Sequence, residues 1–554
     1  MCERVIITAN EGKIRGILKT SEYSETSFYS FYGVPYGEPP IGNLRFKDPV
    51  KVKPWRRIYD ATKEKPGCIQ YSLLNHNFWG TEDCLYNNIH IPKLPQKDEP
   101  LRAIIVNIHP GAYNFGTPNT DQFGSPDFIM HHDVVYICIA YRLHILGFLN
   151  LGIKDCSGNQ AIKDIILGLR WIKSNIKAFG GDPDNITVIG SSTGAILINI
   201  LMLSPAAKDL FHKAVLMGGY VCNPVMPHQN SNQEYAYELA KLLGCTKNVH
   251  DHKQLLAYLK SLPAVLLIQY LRACQKIVQN TLAPIYPMGI FSPTLDHESG
   301  ILPESPRNLL QSMAKIPIMV GFCERESILG FSRGELRRET EENFKTSFCQ
   351  NCWSWGTHLD EKDIQFINQE VESFYTQGTP IEEAPLSLKV DIQTDITMSD
   401  VYETLIDIIA ADSLSSVFVY KFEFEGAIAT TKTILLQQSV LEEDLKGTYH
   451  NCDYFYWNRR SDPENVETRE MVDTFTKLVT TFAKTSDPNN ENIPIRWIPS
   501  TLGEPCYLSI SNPIKMVDGK LNNERLEFWD RIKQQIKKTK NVKIIKEENG
   551  AVKS

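Results

Sequence analysis

A serine bounded by glycines is the most chemically suggestive feature of this 554-residue chain. A β-branched run over residues 186–189 ends in Gly190-Ser191-Ser192-Thr193-Gly194, and an apolar, helix-like segment follows over residues 196–203. Glycines on both sides of a serine let neighbouring backbone approach a sharp strand-to-helix turn. Such a turn exposes the serine hydroxyl in front of a helix N-terminus, which favours developing negative charge. The pattern therefore predicts Ser192 as a nucleophile.

A nucleophilic serine needs a base that accepts its proton and a carboxylate that orients this base. Glu326 lies in a loop after a predicted strand at residues 316–320, and His450 lies in a late loop after a predicted strand at residues 417–424. The order serine, acid, histidine is the chain order of α/β hydrolases. Glu326 is the predicted acid and His450 the predicted base, with Glu324 as the alternative acid.

An oxyanion-hole loop is expected after the third strand of the central sheet in such a fold. The strand-like residues 104–108 run into His109-Pro110-Gly111-Ala112-Tyr113, which is the segment in the right place. We interpret His109 as a structural residue at the strand end rather than as a catalytic one.

Further motifs stand in order along the chain, and with them it resembles the type-B carboxylesterases, the cholinesterase-like branch of the α/β-hydrolase superfamily, most of all the insect α-esterases. The motifs are Phe31-Tyr32-Gly33-Val34-Pro35-Tyr36, Glu82-Asp83-Cys84-Leu85-Tyr86, Leu146-Gly147-Phe148-Leu149, and Phe179-Gly180-Gly181-Asp182-Pro183-Asp184-Asn185-Ile186-Thr187-Val188. The resemblance extends from about residue 5 to about residue 530.

This resemblance implies an α/β-hydrolase fold, with a large, mostly parallel central sheet flanked by helices and with helical cap insertions. It implies a serine carboxylesterase that hydrolyses small-molecule carboxylic esters through an acyl-enzyme. The implied triad is Ser192, Glu326 and His450, and the implied oxyanion donors are the N–H groups of Gly111, Ala112 and Thr193. The family pattern also pairs Cys68 with Cys84 in a disulfide, with two free thiols as the alternative in a reducing cytosol. The alternative function is a weakly active or inactive relative that binds and sequesters esters or lipophilic ligands.

Several residues near the predicted site depart from the family pattern. Ser191 and Thr193 flank the nucleophile where the family usually has glutamate and alanine, and Gly218 replaces a serine beside the triad. Ala112 stands in the oxyanion loop, where a positive φ would cost an alanine roughly 1 kcal/mol or more. The aromatic run after His450 arrives about two residues early, which predicts a displaced imidazole. Together these departures predict that acylation is faster than deacylation.

Apolar runs alternate with segments of helical period, which indicates a mainly parallel sheet between helices. Further strands are predicted at residues 134–141 and 214–217, a buried crossover helix at residues 162–176, and helical caps at residues 225–300 and 334–412. A last helix is predicted at about residues 523–538. The simplest organisation is one domain over residues 1–540, followed by a frayed basic tail over residues 541–554.

Charge, cysteine spacing and hydropathy indicate which binding partners, cofactors and cellular location to expect. The formal net charge of -7 argues against nucleic acid as a main partner. No cofactor and no metal are predicted, because Cys349 and Cys352 have redox spacing without a thioredoxin-like context. No membrane anchor or signal peptide is predicted, so we expect a cytoplasmic protein, or a secreted one if the N-terminus is truncated. The oligomeric state is not predicted.

Overall fold

A computed structural model describes residues 3–71, 77–221, 229–279, 290–296, 300–328, 359–411, 416–426, 446–459, 462–519 and 523–551. The strands in these ranges are β1 (Arg4–Ala9), β2 (Gly12–Thr20), β3 (Ser27–Pro35), β4 (Tyr59–Asp60), β5 (Gln70–Tyr71), β6 (Phe78–Trp79), β7 (Tyr86–Ile91), β8 (Arg102–Ile108), β9 (Val135–Ile139), β10 (Asn150–Ile153), β11 (Cys156–Ser157), β12 (Gly181–Ser191), β13 (Lys213–Met217), β14 (Ile318–Cys323), β15 (Val417–Phe422), β16 (Cys506–Ile510) and β17 (Lys515–Asp518).

The α-helices in the same ranges are α1 (His144–Phe148), α2 (Gln160–Asn175), α3 (Thr193–Leu203), α4 (Gln229–Leu242), α5 (His252–Ser261), α6 (Ala264–Gln269), α7 (Leu271–Gln279), α8 (Pro306–Leu309), α9 (Glu361–Tyr375), α10 (Leu386–Ala411), α11 (Val466–Thr485) and α12 (Asn523–Ala551). Short 3-10 helices lie at Gly42–Leu44, Met130–His132, Ile176–Phe179, Pro205–Ala207, Leu310–Ser312, Ile381–Glu383 and Asp453–Tyr456.

One large sheet organises the described part of the chain. Its strand order is β1-β2-β3-β7-β9-β8-β12-β13-β14-β15-β16-β17, with β4 paired to β2. The strands from β9 to β16 in this order run parallel to one another, and antiparallel pairs flank them on both sides. Because parallel strands end at the same edge, the loops after β8, β12, β13, β14 and β15 meet there.

Both faces of the sheet are buried, which explains why its central strands read as continuous apolar runs. Ile104 and Val106 of β8 point into one core cluster, which also contains the apolar side chains of α2 and α3. Ile105 points into the opposite cluster, together with Phe475 and other residues of α11. The predicted class, a mostly parallel α/β-hydrolase sheet between helices, is confirmed.

Several predicted boundaries differ from the structure by one or more residues, and two of these differences concern the acidic loop and the end of the chain. The strand predicted at residues 316–320 is Ile318–Cys323, so the acidic loop begins directly at its end. The last helix begins at Asn523 but continues to Ala551, well beyond the predicted end at about residue 538. Lysine and glutamate supply five of the thirteen residues 539–551, and both favour helices, so sparse apolar content does not end the helix.

The structure joins Cys68 to Cys84 in a disulfide. Disulfides persist mainly in oxidising compartments, so this bond gives the predicted cytoplasmic location no support. None of the helices in the described ranges has both the length and the apolar content that a membrane crossing requires. The cysteine pair Cys349 and Cys352 and part of both predicted cap segments lie outside the described residues.

Candidate active site

The nucleophile candidate lies at a strained turn between β12 and α3. Ser192 has φ 54° and ψ −126°, a conformation that L-residues rarely adopt, and it is 7% exposed. A Cβ on Gly194 would lie 2.2 Å from the carbonyl oxygen of Ile108, so only glycine lets the helix start this close to β8. The backbone N–H of Ser192 donates to the carbonyl of Met217 at 2.8 Å. These contacts fix the serine at the carboxyl edge of the sheet.

The three predicted catalytic side chains form one continuous hydrogen-bonded chain. Nε2 of His450 lies 2.8 Å from Oγ of Ser192, and Nδ1 lies 2.6 Å from Oε2 of Glu326. The other carboxylate oxygen of Glu326 accepts from the backbone N–H of Cys323 at 2.7 Å. A proton on Nδ1, directed at the carboxylate, leaves Nε2 free to accept the serine proton. The arrangement can therefore activate the Ser192 hydroxyl.

The displacement predicted for His450 is wrong. Ser191, which precedes the nucleophile, donates a hydrogen bond to the side-chain oxygen of Asn451, which follows the base. Asn451 has φ 70°, a left-handed conformation that asparagine tolerates better than most residues. The early aromatic run is thus accommodated at Asn451, and the imidazole stays in register with Ser192. One reason for expecting slow deacylation is removed.

A second buried carboxylate lies beneath the imidazole. Burial raises the pKa of Asp453 to about 6, and the hydroxyl of Tyr420 donates to its Oδ2 at 2.7 Å. Burial alone would lower the pKa of His450, but the carboxylates of Glu326 and, more weakly, Asp453 raise it above 6.5. The site therefore favours the imidazolium that forms when His450 takes a proton. We did not predict a role for Asp453, although it lies three residues after His450.

The structure separates Glu324, the alternative acid, from the imidazole, and it places Gly218 against the predicted acid and base. Glu324 does not reach the imidazole; its backbone N–H donates to Oγ1 of Thr448, and burial raises its pKa. A Cβ on Gly218 would lie 3.2 Å from Oε1 of Glu326 and 3.4 Å from Nδ1 of His450. Glu326 and His450 therefore pack directly against the backbone of Gly218, where there is no side chain.

The predicted oxyanion loop contains three consecutive residues with positive φ. These are Gly111 at 137°, Ala112 at 52° and Tyr113 at 64°, so the strain expected at Ala112 is present. The carbonyl of Gly111 accepts hydrogen bonds from the N–H groups of Asn114 and Phe115, which closes a tight turn. Within the described ranges, the N–H groups of Gly111, Ala112 and Thr193 have no acceptor, so all three can donate to a ligand.

Gln70 holds the oxyanion loop from the side of the disulfide. Its amide pairs with the backbone of Gly116 in both directions, with Nε2 3.0 Å from the carbonyl oxygen and Oε1 2.8 Å from the nitrogen. The same Nε2 lies 2.9 Å from the carbonyl oxygen of Cys68. The sequence carries no local signal for Gln70, because its partner lies 46 positions away.

His109 has the structural role that we predicted for it. Its ring stacks on Tyr141 with centroids 4.3 Å apart, and its Nδ1 lies 2.8 Å from the carbonyl oxygen of Pro110. Burial lowers the pKa of His109 to about 4, so the ring is neutral. Pro110 lacks an N–H, and the loop uses its carbonyl instead.

Comparisons with known proteins agree with this fold. The family model described as the carboxylesterase family matches residues 3–529. Esterase E4 of Myzus persicae is 29% identical over 513 residues, which are 89% of this chain and 88% of that protein. Juvenile hormone esterase of Tribolium castaneum is 32% identical over 343 residues, 61% of this chain and 58% of that protein.

A solved structure is similar along the whole chain. The crystal structure of juvenile hormone esterase from Manduca sexta, with OTFP covalently attached, superposes with a TM-score of 0.81 at 25% identity and covers 96% of this chain and 99% of that one. Fold and relatives together define the molecule as an α/β hydrolase of the serine esterase class. The chain belongs to the carboxylesterase family and is a carboxylic ester hydrolase that acts on small ester substrates. The comparisons do not favour the alternative of a sequestering protein.

Proposed function

We propose that this carboxylesterase hydrolyses esters through a covalent intermediate on Ser192. His450 accepts the proton of the Ser192 hydroxyl as the serine oxygen attacks the ester carbonyl, and it then donates that proton to the departing alcohol. Glu326 holds the imidazole in the right tautomer and stabilises its cation. In the second half-reaction, His450 takes a proton from water, the hydroxide attacks the acyl-enzyme, and the proton returns to Ser192 as the acid leaves.

The observation that carries this proposal is the unbroken chain from Ser192 through His450 to Glu326, with links of 2.8 and 2.6 Å. Three residues separated by 134 and 124 positions meet in the order that proton transfer requires. A serine and a histidine that meet by chance on a surface would not have a buried carboxylate behind the second imidazole nitrogen.

The oxyanion donors that we propose are the N–H groups of Gly111, Ala112 and Thr193. Thr193 is the first residue of α3, and the root of the oxyanion loop packs against the start of this helix; a Cβ on Gly194 would come 2.9 Å from the carbonyl oxygen of His109. Donors held by such a backbone need little reorganisation when negative charge develops on the substrate oxygen.

The test is active-site labelling with a fluorophosphonate probe, followed by peptide mapping. We expect one probe per chain, attached to Ser192, because its hydroxyl contacts a histidine whose other ring nitrogen is held by the buried carboxylate of Glu326. Ser192→Ala should abolish labelling and lower kcat by about a millionfold, as loss of the nucleophile does in other serine hydrolases.

The matched control is Ser191→Ala, which removes the neighbouring hydroxyl and leaves the nucleophile in place. This variant should still be labelled in full. Labelling that survives in Ser192→Ala, or that disappears in Ser191→Ala alone, would contradict the assignment of the nucleophile.

A further inference from the structure

The guanidinium of Arg325, the residue directly before Glu326, joins three separate parts of the fold. Its Nε donates to Oδ1 of Asp391 at 2.8 Å, and its Nη2 donates to the carbonyl of Ser387 at 2.6 Å; both partners lie on α10. Its Nη1 donates to the carbonyl of Lys446 at 2.7 Å, at the start of the described segment that carries His450. The side chain is only 15% exposed.

The segments that carry the acid and the base also run beside each other. The backbone N–H of Arg325 donates to the carbonyl of Thr448 at 2.9 Å, and the N–H of His450 lies 3.3 Å from the carbonyl of Glu326. Gly447 has φ 113°, and a Cβ there would lie 2.8 Å from Cδ of Arg325. The base segment therefore lies directly on the stem of the arginine side chain.

We propose that Arg325 is a positioning residue for ester hydrolysis: it holds the Glu326 loop and the His450 segment in register against α10. The inference rests on the proposed triad. Arg325 touches neither the substrate nor the reacting atoms, and it acts only through the two side chains that its contacts place.

Arginine suits this role because its planar fork can donate in three directions at once, whereas the lysine ammonium sits at a single point. Loss of Arg325 should not leave an unpaired buried charge. Asp391 is 25% exposed, and its other oxygen lies 3.9 Å from Nη2 of Arg525 on α12. Arg525 also reaches Asp395 at 3.4 Å, so α10 and α12 stay connected without Arg325.

The experiment compares Arg325→Met and Arg325→Lys with the wild type, with every rate divided by the concentration of probe-labelled sites. We expect Arg325→Met to lower kcat by about ten- to a hundredfold, since a misplacement of about 1 Å in a catalytic group can cost about a hundredfold. KM should stay within about twofold, because the arginine does not contact the substrate. Arg325→Lys should recover part of kcat, since the ammonium can still reach one of the three acceptors.

Arg102→Met is the matched control for simple loss of a partly buried ion pair. Arg102 is equally well paired, at 2.7 Å to Asp133 and 3.0 Å to Glu99, but it starts β8 at the opposite edge of the sheet. Its loss should lower the melting temperature and leave kcat per labelled site within about twofold.

The outcomes separate the two proposals. A wild-type enzyme labelled at Ser192, with Arg325→Met within twofold of its kcat per labelled site, would overturn the positioning role and leave the triad standing. An equal fall in kcat for Arg102→Met and Arg325→Met would also overturn it, because a purely structural loss would then account for both. A wild-type enzyme without labelling at Ser192 would overturn the proposed function and the positioning role together.

Discussion

Ser192 and the oxyanion loop are positioned mainly by backbone conformation, whereas the positions of Glu326 and His450 depend in addition on side chains that the fold brings to them. On the nucleophile side, the contacts are a positive φ at Ser192, a close approach of Gly194 to Ile108, and a tight turn at Gly111. On the acid–base side the backbone N–H of Cys323 donates to Glu326, and the side chains of Ser191, Arg325 and Tyr420 donate to the neighbouring Asn451, Lys446 and Asp453.

This difference explains which departures from the family pattern the site tolerates. Ala112 has a left-handed conformation, at a local cost of about 1–2 kcal/mol, within the turn that two hydrogen bonds to the carbonyl of Gly111 close. On the other side, the shortened segment after His450 is held by a hydrogen bond from Ser191 to Asn451. A departure from the family pattern is therefore tolerated as conformational strain in the oxyanion loop, and through a side-chain hydrogen bond beside His450.

The largest effect on kcat is expected when the charge of Glu326 is removed. We expect Glu326→Gln to lower kcat by about 10⁴-fold, because the imidazole loses both its orienting acceptor and the charge that stabilises its cation. The carboxylates that face His450 are those of Glu326 and Asp453, and Glu326 is the stronger in raising its pKa. Without Glu326 the effect of burial dominates and this pKa falls.

The pH profile gives the sign of this change. The base acts only when neutral, so the wild-type enzyme should lose kcat/KM below a midpoint above 6.5, and Glu326→Gln should move this acid limb to lower pH. Glu324→Gln is the control and should change neither kcat nor the midpoint. An acid limb that moves in Glu324→Gln and not in Glu326→Gln would exchange the two assignments.

In the oxyanion loop, a single added methyl group should lower kcat. A Cβ on Gly111 would lie 1.8 Å from the carbonyl oxygen of Phe115, so Gly111→Ala must distort the oxyanion turn. We expect kcat to fall by about 10²–10³-fold, the cost of losing one oxyanion donor. Steady-state kinetics with a 4-nitrophenyl ester measures this.

Gly378→Ala is the control for conformational strain alone. Gly378 has φ 92° with open space around the added methyl group, so this variant should lower stability by about 1–2 kcal/mol and leave kcat unchanged. If both variants keep full activity, the turn at Gly111 does not form the oxyanion hole.

The smallest effect on the reaction rates is expected at Ser191, whose hydroxyl donates to Asn451. Ser191→Ala removes the hydrogen bond to Asn451, and a bond of this kind contributes about 0.5–1.5 kcal/mol. We therefore expect both acylation and deacylation to slow by about two- to tenfold, as measured by the burst and steady-state phases with a 4-nitrophenyl ester. Ser204→Ala, at a buried hydroxyl without a partner in the described ranges, should change neither phase. Unchanged phases in Ser191→Ala would show that Asn451 holds His450 without help.

The comparison also explains how much the sequence could predict. The strand and the helix on either side of Ser192 were predictable, because close backbone approach demands glycine at fixed local spacing. The parallel sheet was predictable from its apolar runs. The roles of Gln70, Arg325 and Asp453 were not, because each depends on a partner brought near by the fold. The prediction that His450 is displaced was wrong for the same reason, since the number of residues in the loop does not show that Ser191 contacts Asn451.

The pairing of Gln70 with Gly116 has a consequence for protein engineering. The disulfide between Cys68 and Cys84 closes a loop of the chain that contains Gln70. The side chain of Gln70 hydrogen-bonds in both directions with the backbone of the oxyanion loop. A chimaera must therefore transfer the glutamine and the receiving glycine together, and the two positions form a single unit of exchange although they are far apart in the chain.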